Sequence, residues 1–222
     1  TSRMFINIHS HHPGQPGDLT LQSLYREFER ADTAGYYSLG LHPWFIRNET
    51  WESEWEMVQD KSRNQRVLAI GECGLDKVCS TDWHLQETVF KTQLSWANEI
   101  HKPVIIHCVR AYEETLRLIK ETGMNTPCLF HGFNRGVTLA GTIIQAGHYI
   151  SFGKAVVHGH AREALASIPE DRYFLETDDA DLPISEIYQA AAEARNMNIE
   201  SIILQCQKNL EKVFLINPEH LT

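Results

Sequence analysis

The amino-acid sequence predicts an α/β fold built on parallel strands. Short apolar runs alternate with segments of helical periodicity along the 222 residues, and runs such as 67–72 and 103–107 are mostly apolar and end in a polar side chain. A short apolar run of this kind is typical of a parallel strand buried on both faces. About eight such strands alternating with helices indicate a single-domain, TIM-like (β/α)8 barrel.

The strands and helices can be assigned in order along the chain. Strands are predicted at residues 4–11, 18–24, 36–41, 67–72, 103–107, 128–131, 149–153 and 173–178. Helices are predicted at 51–64, 85–100, 113–121, 137–146, 161–167, 183–195 and 199–215. A helix is a second interpretation for residues 18–24, because the apolar alternation there is only partial.

Composition and charge exclude several classes of protein. No apolar run approaches the roughly 18 residues of a membrane-spanning helix. The formal net charge of -9 disfavours a long nucleic-acid groove, but it leaves a nucleic-acid end or a nucleotide open as substrate. The five cysteines are odd in number and never spaced C-x-x-C, so we expect free thiols.

These properties are typical of an ordinary soluble protein. We expect one domain over residues 1–222, no membrane association and no obligate protein partner. The N-terminal residues show no basic segment leading into an apolar one, so we expect the protein to lie in the cytoplasm.

Histidines and carboxylates recur at the predicted C-terminal ends of the strands. His9 and His11 leave the same face of the first strand, since side chains alternate with a period of two. The full set is His9, His11, Glu72, His107, His131 and Asp178. A parallel barrel brings its C-terminal strand ends to one face, where such folds carry their chemistry. The six side chains therefore predict a metal site rather than solvated strand ends.

The predicted ligands are imidazoles and carboxylates, with no thiolate among them. This donor set suits zinc, manganese, iron or, less naturally, magnesium. Six ligands exceed the needs of one tetrahedral ion, whereas two ions that share a bridging carboxylate would use them all. We therefore expect two divalent metal ions, Mg, Mn or Zn, as cofactors.

Six blocks of the sequence resemble, in order, the motifs of the TatD family of metal-dependent deoxyribonucleases. They are His-x-His at 9–11, Gly-Leu-His-Pro at 40–43, Ile-Gly-Glu-Cys-Gly-Leu-Asp at 70–76, the strand at 103–107, His-Gly-Phe at 131–133 and Leu-Glu-Thr-Asp at 175–178. The resemblance implies a TIM-like barrel that hydrolyses phosphodiesters at a binuclear site. It implies that one ion is held by His9, His11 and Asp178. The other ion would be held by His107 and His131, with Glu72 bridging the two.

The resemblance also implies a reaction, the attack of a metal-activated water on phosphorus, as in an exonuclease-like deoxyribonuclease. Glu72 and Asp178 are the expected catalytic residues, and Asp178 either accepts the proton of the water or serves only as a ligand. The expected substrate is a nucleic-acid end or a small phosphodiester. Candidate substrate contacts are His42, Arg110, Arg135 and Lys154, and His42 is also a candidate metal contact. A second interpretation is that His42 fixes the turn at Pro43 and that the three basic side chains are solvated surface charge.

The chain departs from the usual motifs of this family at three places. Asn7 stands where an Asp usually precedes the histidine pair, and Cys-Val-Arg at 108–110 stands where Ser-Arg-Asp usually follows the strand. After Asp178 the chain continues with Asp-Ala-Asp-Leu at 179–182, in place of Ala-Pro-Tyr-Leu and a basic loop. The loss of the basic loop argues against nucleic-acid binding more than it argues against metal binding.

Two other functions are consistent with the same residues. One is a metal-dependent amidohydrolase acting on a small cyclic amide or ester, since such enzymes share the barrel and the His-x-His motif. Those with two metals often bridge them with a modified lysine, whereas Glu72 stands at that strand end here. The other is a metal-binding paralogue with weakened catalysis, which the altered segments after His107 and Asp178 suggest and the retained ligands disfavour.

Overall fold

The strands that precede the candidate ligands belong to one parallel sheet. Residues 3–217 are described by the structure, a computed structural model, and within them eight strands follow in sequence order. They are β1 (Ile6–Ser10), β2 (Leu19–Leu24), β3 (Tyr36–Leu39), β4 (Val67–Asp76), β5 (Val104–Val109), β6 (Cys128–Phe130), β7 (Tyr149–Phe152) and β8 (Tyr173–Leu175). The predicted strands are confirmed, and the helical interpretation of residues 18–24 is wrong.

The helices of the described residues follow or separate these strands. They are α1 (Trp51–Lys61), α2 (Trp83–Ile100), α3 (Tyr112–Thr122), α4 (Val137–Gln145), α5 (Lys154–Val157), α6 (Arg162–Ser167), α7 (Ile184–Arg195) and α8 (Ile199–Phe214). The predicted helices are confirmed, and α5 is a short helix that the sequence did not indicate. In the fully described segment 11–18 no helix joins β1 to β2, and a 3₁₀ helix at Phe28–Asp32 lies between β2 and β3.

The chain packs as two units. The first unit comprises the described residues up to Gln22 and from Phe130 onward, and the second comprises Ser23–Leu129. The expectation of a single domain stays a prediction.

In the first unit, β1 pairs in parallel with β2, and β7 pairs in parallel with β8. β1 also lies beside the end of β8, because the His11 N–H donates to the Asp178 carbonyl oxygen at 3.0 Å. The Asp178 N–H in turn donates to the His9 carbonyl oxygen at 2.9 Å. These two backbone hydrogen bonds hold three of the candidate ligands at one place.

In the second unit, β3, β4 and β5 pair in parallel. Gly74 is required where β4 passes β5, because its φ is 155° and a Cβ there would lie 1.9 Å from the His107 carbonyl oxygen. Helix α2 buries an apolar face that includes Val89, Phe90 and Leu94.

Two buried glutamines on α2 fix the backbone near the ends of β3 and β4. Gln93 accepts a hydrogen bond from the Leu41 N–H at 2.8 Å and donates to the Leu41 carbonyl oxygen at 3.2 Å. Gln86 accepts from the Asp76 N–H at 2.8 Å and donates to the Asp76 carbonyl oxygen at 3.0 Å. The two glutamines are seven positions apart, so they lie on the same face of the helix.

Neither the helices nor the cysteines contradict the expectations from composition. Among residues 3–217, no helix has the length and apolar character needed to cross a membrane. The five cysteines are free thiols, as predicted, and three of them are buried.

Tyr188 on α7 offers a test of how the first unit is held together. Its buried hydroxyl accepts a hydrogen bond from the Ile6 N–H at 3.0 Å and donates to the Ile6 carbonyl oxygen at 2.7 Å. Tyr188→Phe removes this partner from two buried backbone groups, so we expect the free energy of unfolding to fall by about 1 to 3 kcal/mol. Urea denaturation followed by circular dichroism measures the change. Tyr149→Phe is the control, because its half-buried ring stays over Arg172, and equal losses in both variants would contradict the role of the hydroxyl.

Candidate metal centre

The end of β1 places two histidines around one carboxylate. Nε2 of His9 lies 3.2 Å from Oδ1 of Asp178, and Nε2 of His11 lies 3.3 Å from the same oxygen. The His9 side chain is fully buried, whereas that of His11 is 26% exposed. The structure therefore brings together the three residues that the resemblance assigns to one ion.

His131, which follows β6, lies against the same carboxylate–histidine cluster. Its ring centroid is 4.1 Å from that of His9. Ligand atoms of His9, His131 and Asp178 all lie within 4.8 Å of one another. We call His9, His11, His131 and Asp178 the first ligand group.

Glu176 fixes His131, although the sequence analysis gave Glu176 no role. Its Oε1 lies 3.3 Å from Nδ1 of His131 and accepts a hydrogen bond from the Gly132 N–H at 2.7 Å. Its Oε2 accepts from the Ser151 hydroxyl at 2.6 Å. A carboxylate on one ring nitrogen orients the other toward a metal. The available signal was an acid directly after the apolar run of β8, two positions before Asp178.

His42, Glu72 and His107 form a second ligand group, which lies in the second unit. Their ligand atoms are within 4.8 Å of one another, and all three residues are buried. Oε2 of Glu72 lies 3.1 Å from Nε2 of His42 and 2.8 Å from Nδ1 of His107. His42 also accepts a hydrogen bond from the Trp44 N–H at 3.1 Å. The structure thus supports the turn-fixing role of His42 and groups it with Glu72 and His107 as a candidate metal ligand.

Asp76 holds the second ligand group from the other side of His107. Its Oδ2 lies 2.8 Å from Nε2 of His107 and accepts a hydrogen bond from the Trp44 indole N–H at 2.7 Å. Sequence reasoning assigned no role to Asp76 or Trp44, although both stand within or next to the quoted blocks. β4 runs on to Asp76, past the predicted end at Glu72.

The carboxylates of Asp178 and Asp76 are held in the ionised form. Burial alone would raise the pKa of Asp178, but hydrogen bonds from His11 and His9 outweigh it and hold the pKa well below its ordinary value. Burial also opposes ionisation of Asp76, and hydrogen bonds from His107 and Trp44 lower its pKa nevertheless. An ionised carboxylate is the form that binds a divalent metal.

The donor chemistry of both ligand groups fits a divalent metal ion. Imidazole nitrogens beside carboxylate oxygens, without a thiolate, suit zinc or manganese. Magnesium fits less well, because it prefers oxygen ligands and retains several waters. The bridging role expected of Glu72 and the sharing of one ion by His107 and His131 stay predictions.

The three basic candidates for substrate contacts lie on the surface. Arg110 and Arg135 are exposed. Nζ of Lys154 lies 3.3 Å from Oδ1 of Asp179, and its side chain is 55% exposed. Lys154 also lines a pocket of about 300 Å³ in the first unit, together with Asp178. Lys154 therefore lies beside the first ligand group, and substrate contact by any of the three basic residues stays a prediction.

Comparison with known proteins identifies the family. A family model described as TatD related DNase matches residues 18–215. An uncharacterized metal-dependent hydrolase of Bacillus subtilis, YabD, is 28% identical over 200 residues that cover 82% of this chain and 78% of the relative. Another, from Haemophilus influenzae, is 28% identical over 190 residues that cover 81% of this chain and 72% of the relative.

Solved structures share the fold. The TatD homologue YjjV from Escherichia coli has a TM-score of 0.84 at 22% identity, and the match covers 96% of this chain and 98% of that chain. A TatD family hydrolase from Entamoeba histolytica has a TM-score of 0.79 at 16% identity, covering 94% and 97%. Together with the strand order, this likeness confirms the predicted fold class, a TIM-like (β/α)8 barrel of parallel strands.

The fold and the buried imidazole–carboxylate groups, taken with these relatives, define a metal-dependent hydrolase. Within that class the chain belongs to the TatD family, as its six sequence blocks predict.

Glu176→Gln tests whether the first ligand group binds metal in the geometry described. The amide cannot supply the negative charge that orients His131, so we expect metal affinity to fall by about 10- to 100-fold. Titration of metal-free protein with Zn²⁺ against a chromophoric chelator measures the affinity. Glu193→Gln is the matched control, since Glu193 is an exposed partner of Arg162. Unchanged affinity in Glu176→Gln would show that Glu176 does not support a metal ligand.

Proposed function

We propose that this protein is a phosphodiesterase that degrades DNA from single-stranded ends with two divalent metal ions. The observation that carries the proposal is the presence, in each unit, of a buried or half-buried group of imidazoles and carboxylates suited to a divalent ion. The description of the matching family model, TatD related DNase, supports DNA as the substrate. A nucleic-acid end or a small phosphodiester fits the negative net charge better than a long duplex does.

Each ligand group would hold one ion. The first ion would be held by His9, His11, His131 and Asp178, and the second by His42, Glu72 and His107. In this assignment His131 joins the first ion, whereas the resemblance implies that it shares the second with His107. When bound, the two ions would supply a nucleophilic water at neutral pH and offset the negative charge of the phosphate.

Side chains of the first unit set the charge and position of the reacting groups. His9 and His11 hold Asp178 ionised, which is the form needed for a ligand and for a proton acceptor. Asp178 lines the pocket of about 300 Å³, so a substrate group in this pocket lies beside its carboxylate. Lys154 lines the same pocket and offers a positive charge to a phosphate oxygen.

Side chains of the second unit restrain the ligand histidines. Glu72 and Asp76 contact the two ring nitrogens of His107, which fixes the plane of the imidazole. The backbone N–H of Trp44 fixes the ring of His42 by donating a hydrogen bond to its Nδ1. Preorganised rings of this kind need little rearrangement when a ligand binds.

Hydrolysis of a labelled single-stranded oligonucleotide and of bis(p-nitrophenyl) phosphate tests the proposal. We expect cleavage with Mn²⁺, Zn²⁺ or Mg²⁺ and no cleavage in chelator. Glu72→Gln replaces a candidate carboxylate ligand of the second ligand group with an amide, so we expect kcat to fall by at least about 100-fold. Glu193→Gln should retain full activity, because its side chain is exposed and paired with Arg162.

A wider substrate panel decides between this function and its alternatives. Equal cleavage in chelator, or in Glu72→Gln, would refute the proposal. A preference for cyclic amides or esters over phosphodiesters would favour an amidohydrolase. Failure to hydrolyse any substrate despite stoichiometric bound metal would favour a paralogue that has lost catalysis.

A further inference from the structure

Three aromatic side chains form a surface next to the second ligand group. They are Tyr25, Trp44 and Phe45, which we call the aromatic platform. Trp44 and Phe45 follow directly after the His42-Pro43 turn, and their side chains are 54% and 47% exposed. Two successive large aromatic residues at the surface suggest a binding function.

The aromatic platform is held in place by contacts within its own unit. The rings of Tyr25 and Phe45 are stacked, with centroids 4.6 Å apart and an interplanar angle of 20°. The Trp44 indole N–H donates to Asp76 at 2.7 Å, which fixes the orientation of that ring. Rings that are already fixed lose little conformational freedom when they bind a ligand.

The platform is in contact with candidate metal ligands. The His42 ring centroid lies 4.8 Å from that of Trp44 and 5.3 Å from that of Phe45. Trp44 also lies 5.6 Å from His107, with the rings nearly perpendicular. A planar group stacked on the platform would therefore lie beside the second ligand group.

A pocket of about 610 Å³ extends from the platform. Tyr25 and Phe45 line it together with the exposed Met57. Its charged lining is mixed and consists of Arg26, Glu27, Glu29, Arg47 and Glu54. Three carboxylates against two guanidinium groups suit an uncharged planar ring with amino groups better than they suit a phosphate.

We propose that the aromatic platform stacks unpaired nucleobases of single-stranded nucleic acid beside the phosphate to be cleaved. This inference rests on the proposed function, because it states how the substrate of that site is held. Every base has a π face, so stacking on aromatic side chains tolerates any sequence. The bases provide the affinity that a chain with a net charge of -9 does not obtain from a basic groove.

Binding of strands with and without bases tests the inference. A dye-labelled single-stranded oligonucleotide and an abasic strand of the same length carry phosphorothioate linkages that slow cleavage. Fluorescence anisotropy then measures their affinity for the metal-loaded protein. One stacked base corresponds to about a 5- to 150-fold change in affinity, so we expect the wild-type protein to prefer the base-bearing strand by at least about 5-fold.

Substitutions at Phe45 separate the aromatic face from its volume. Phe45→Leu keeps an apolar side chain over Tyr25 but loses the π face, so the preference should fall by about 5-fold or more, whereas Phe45→Tyr should restore it. The matched control is Leu204→Ala on α8, because Leu204 is 49% exposed and does not line this pocket. Melting curves by circular dichroism verify that each variant is folded.

Intrinsic fluorescence gives a second reading of the same contact. A base stacked on Trp44 should quench part of the emission of the five tryptophans, and Trp44→Phe should remove that part. Equal affinity of the wild-type protein for both strands, or full preference in Phe45→Leu, would overturn the inference. A base preference without phosphodiester hydrolysis would retain the platform and reject the proposed function. Hydrolysis without a base preference would retain the proposed function and reject the platform.

Discussion

Contacts between buried carboxylates and imidazoles are the interaction on which the rest of this structure depends. Glu176 is fully buried and Glu72 is 3% exposed. Removing a carboxylate from water costs several kcal/mol unless charged or hydrogen-bonding partners replace the water. In both cases a histidine ring lies within 3.3 Å of a carboxylate oxygen. The strands must therefore end where imidazoles and acids can meet, which also places them where a metal ion would be bound.

Each unit contains a carboxylate that contacts one ring nitrogen of a candidate ligand histidine. Glu176 contacts one ring nitrogen of His131, and Asp76 contacts one ring nitrogen of His107. In each case the carboxylate fixes the orientation of the imidazole ring. Because these restraints come from the protein itself, the imidazoles are aligned before a metal arrives. The two acids are themselves held in place, because the Glu176 N–H donates to the Phe152 carbonyl oxygen at 3.0 Å and the Asp76 N–H donates to the Gln86 side chain at 2.8 Å.

Sequence patterns located most of the fold and the candidate ligands because those patterns are local. Strand alternation pairs His9 with His11, and apolar runs end at the predicted polar positions. The supporting acids were harder to find, since Glu176 stands in the same short block as Asp178 and only tertiary hydrogen bonds tell their roles apart. The register between β4 and β5 is irregular near Gly71. Strand alternation alone therefore does not predict which side chains beyond Glu72 share a face of the sheet. Helix α5 is too short for a periodic signal.

The two hydrogen bonds from the Gln93 side chain to the backbone of Leu41 have a consequence for evolution. The backbone next to His42 is therefore held by a helix elsewhere in the unit, and the Trp44 N–H that contacts the His42 ring is itself a backbone group. The side chains at residues 45–50 can therefore change while the His42 imidazole keeps its position. Under the proposed function, the residues for chemistry and those for recognition lie on adjacent segments, so exchange of one loop would change the substrate while the candidate ligands keep their positions.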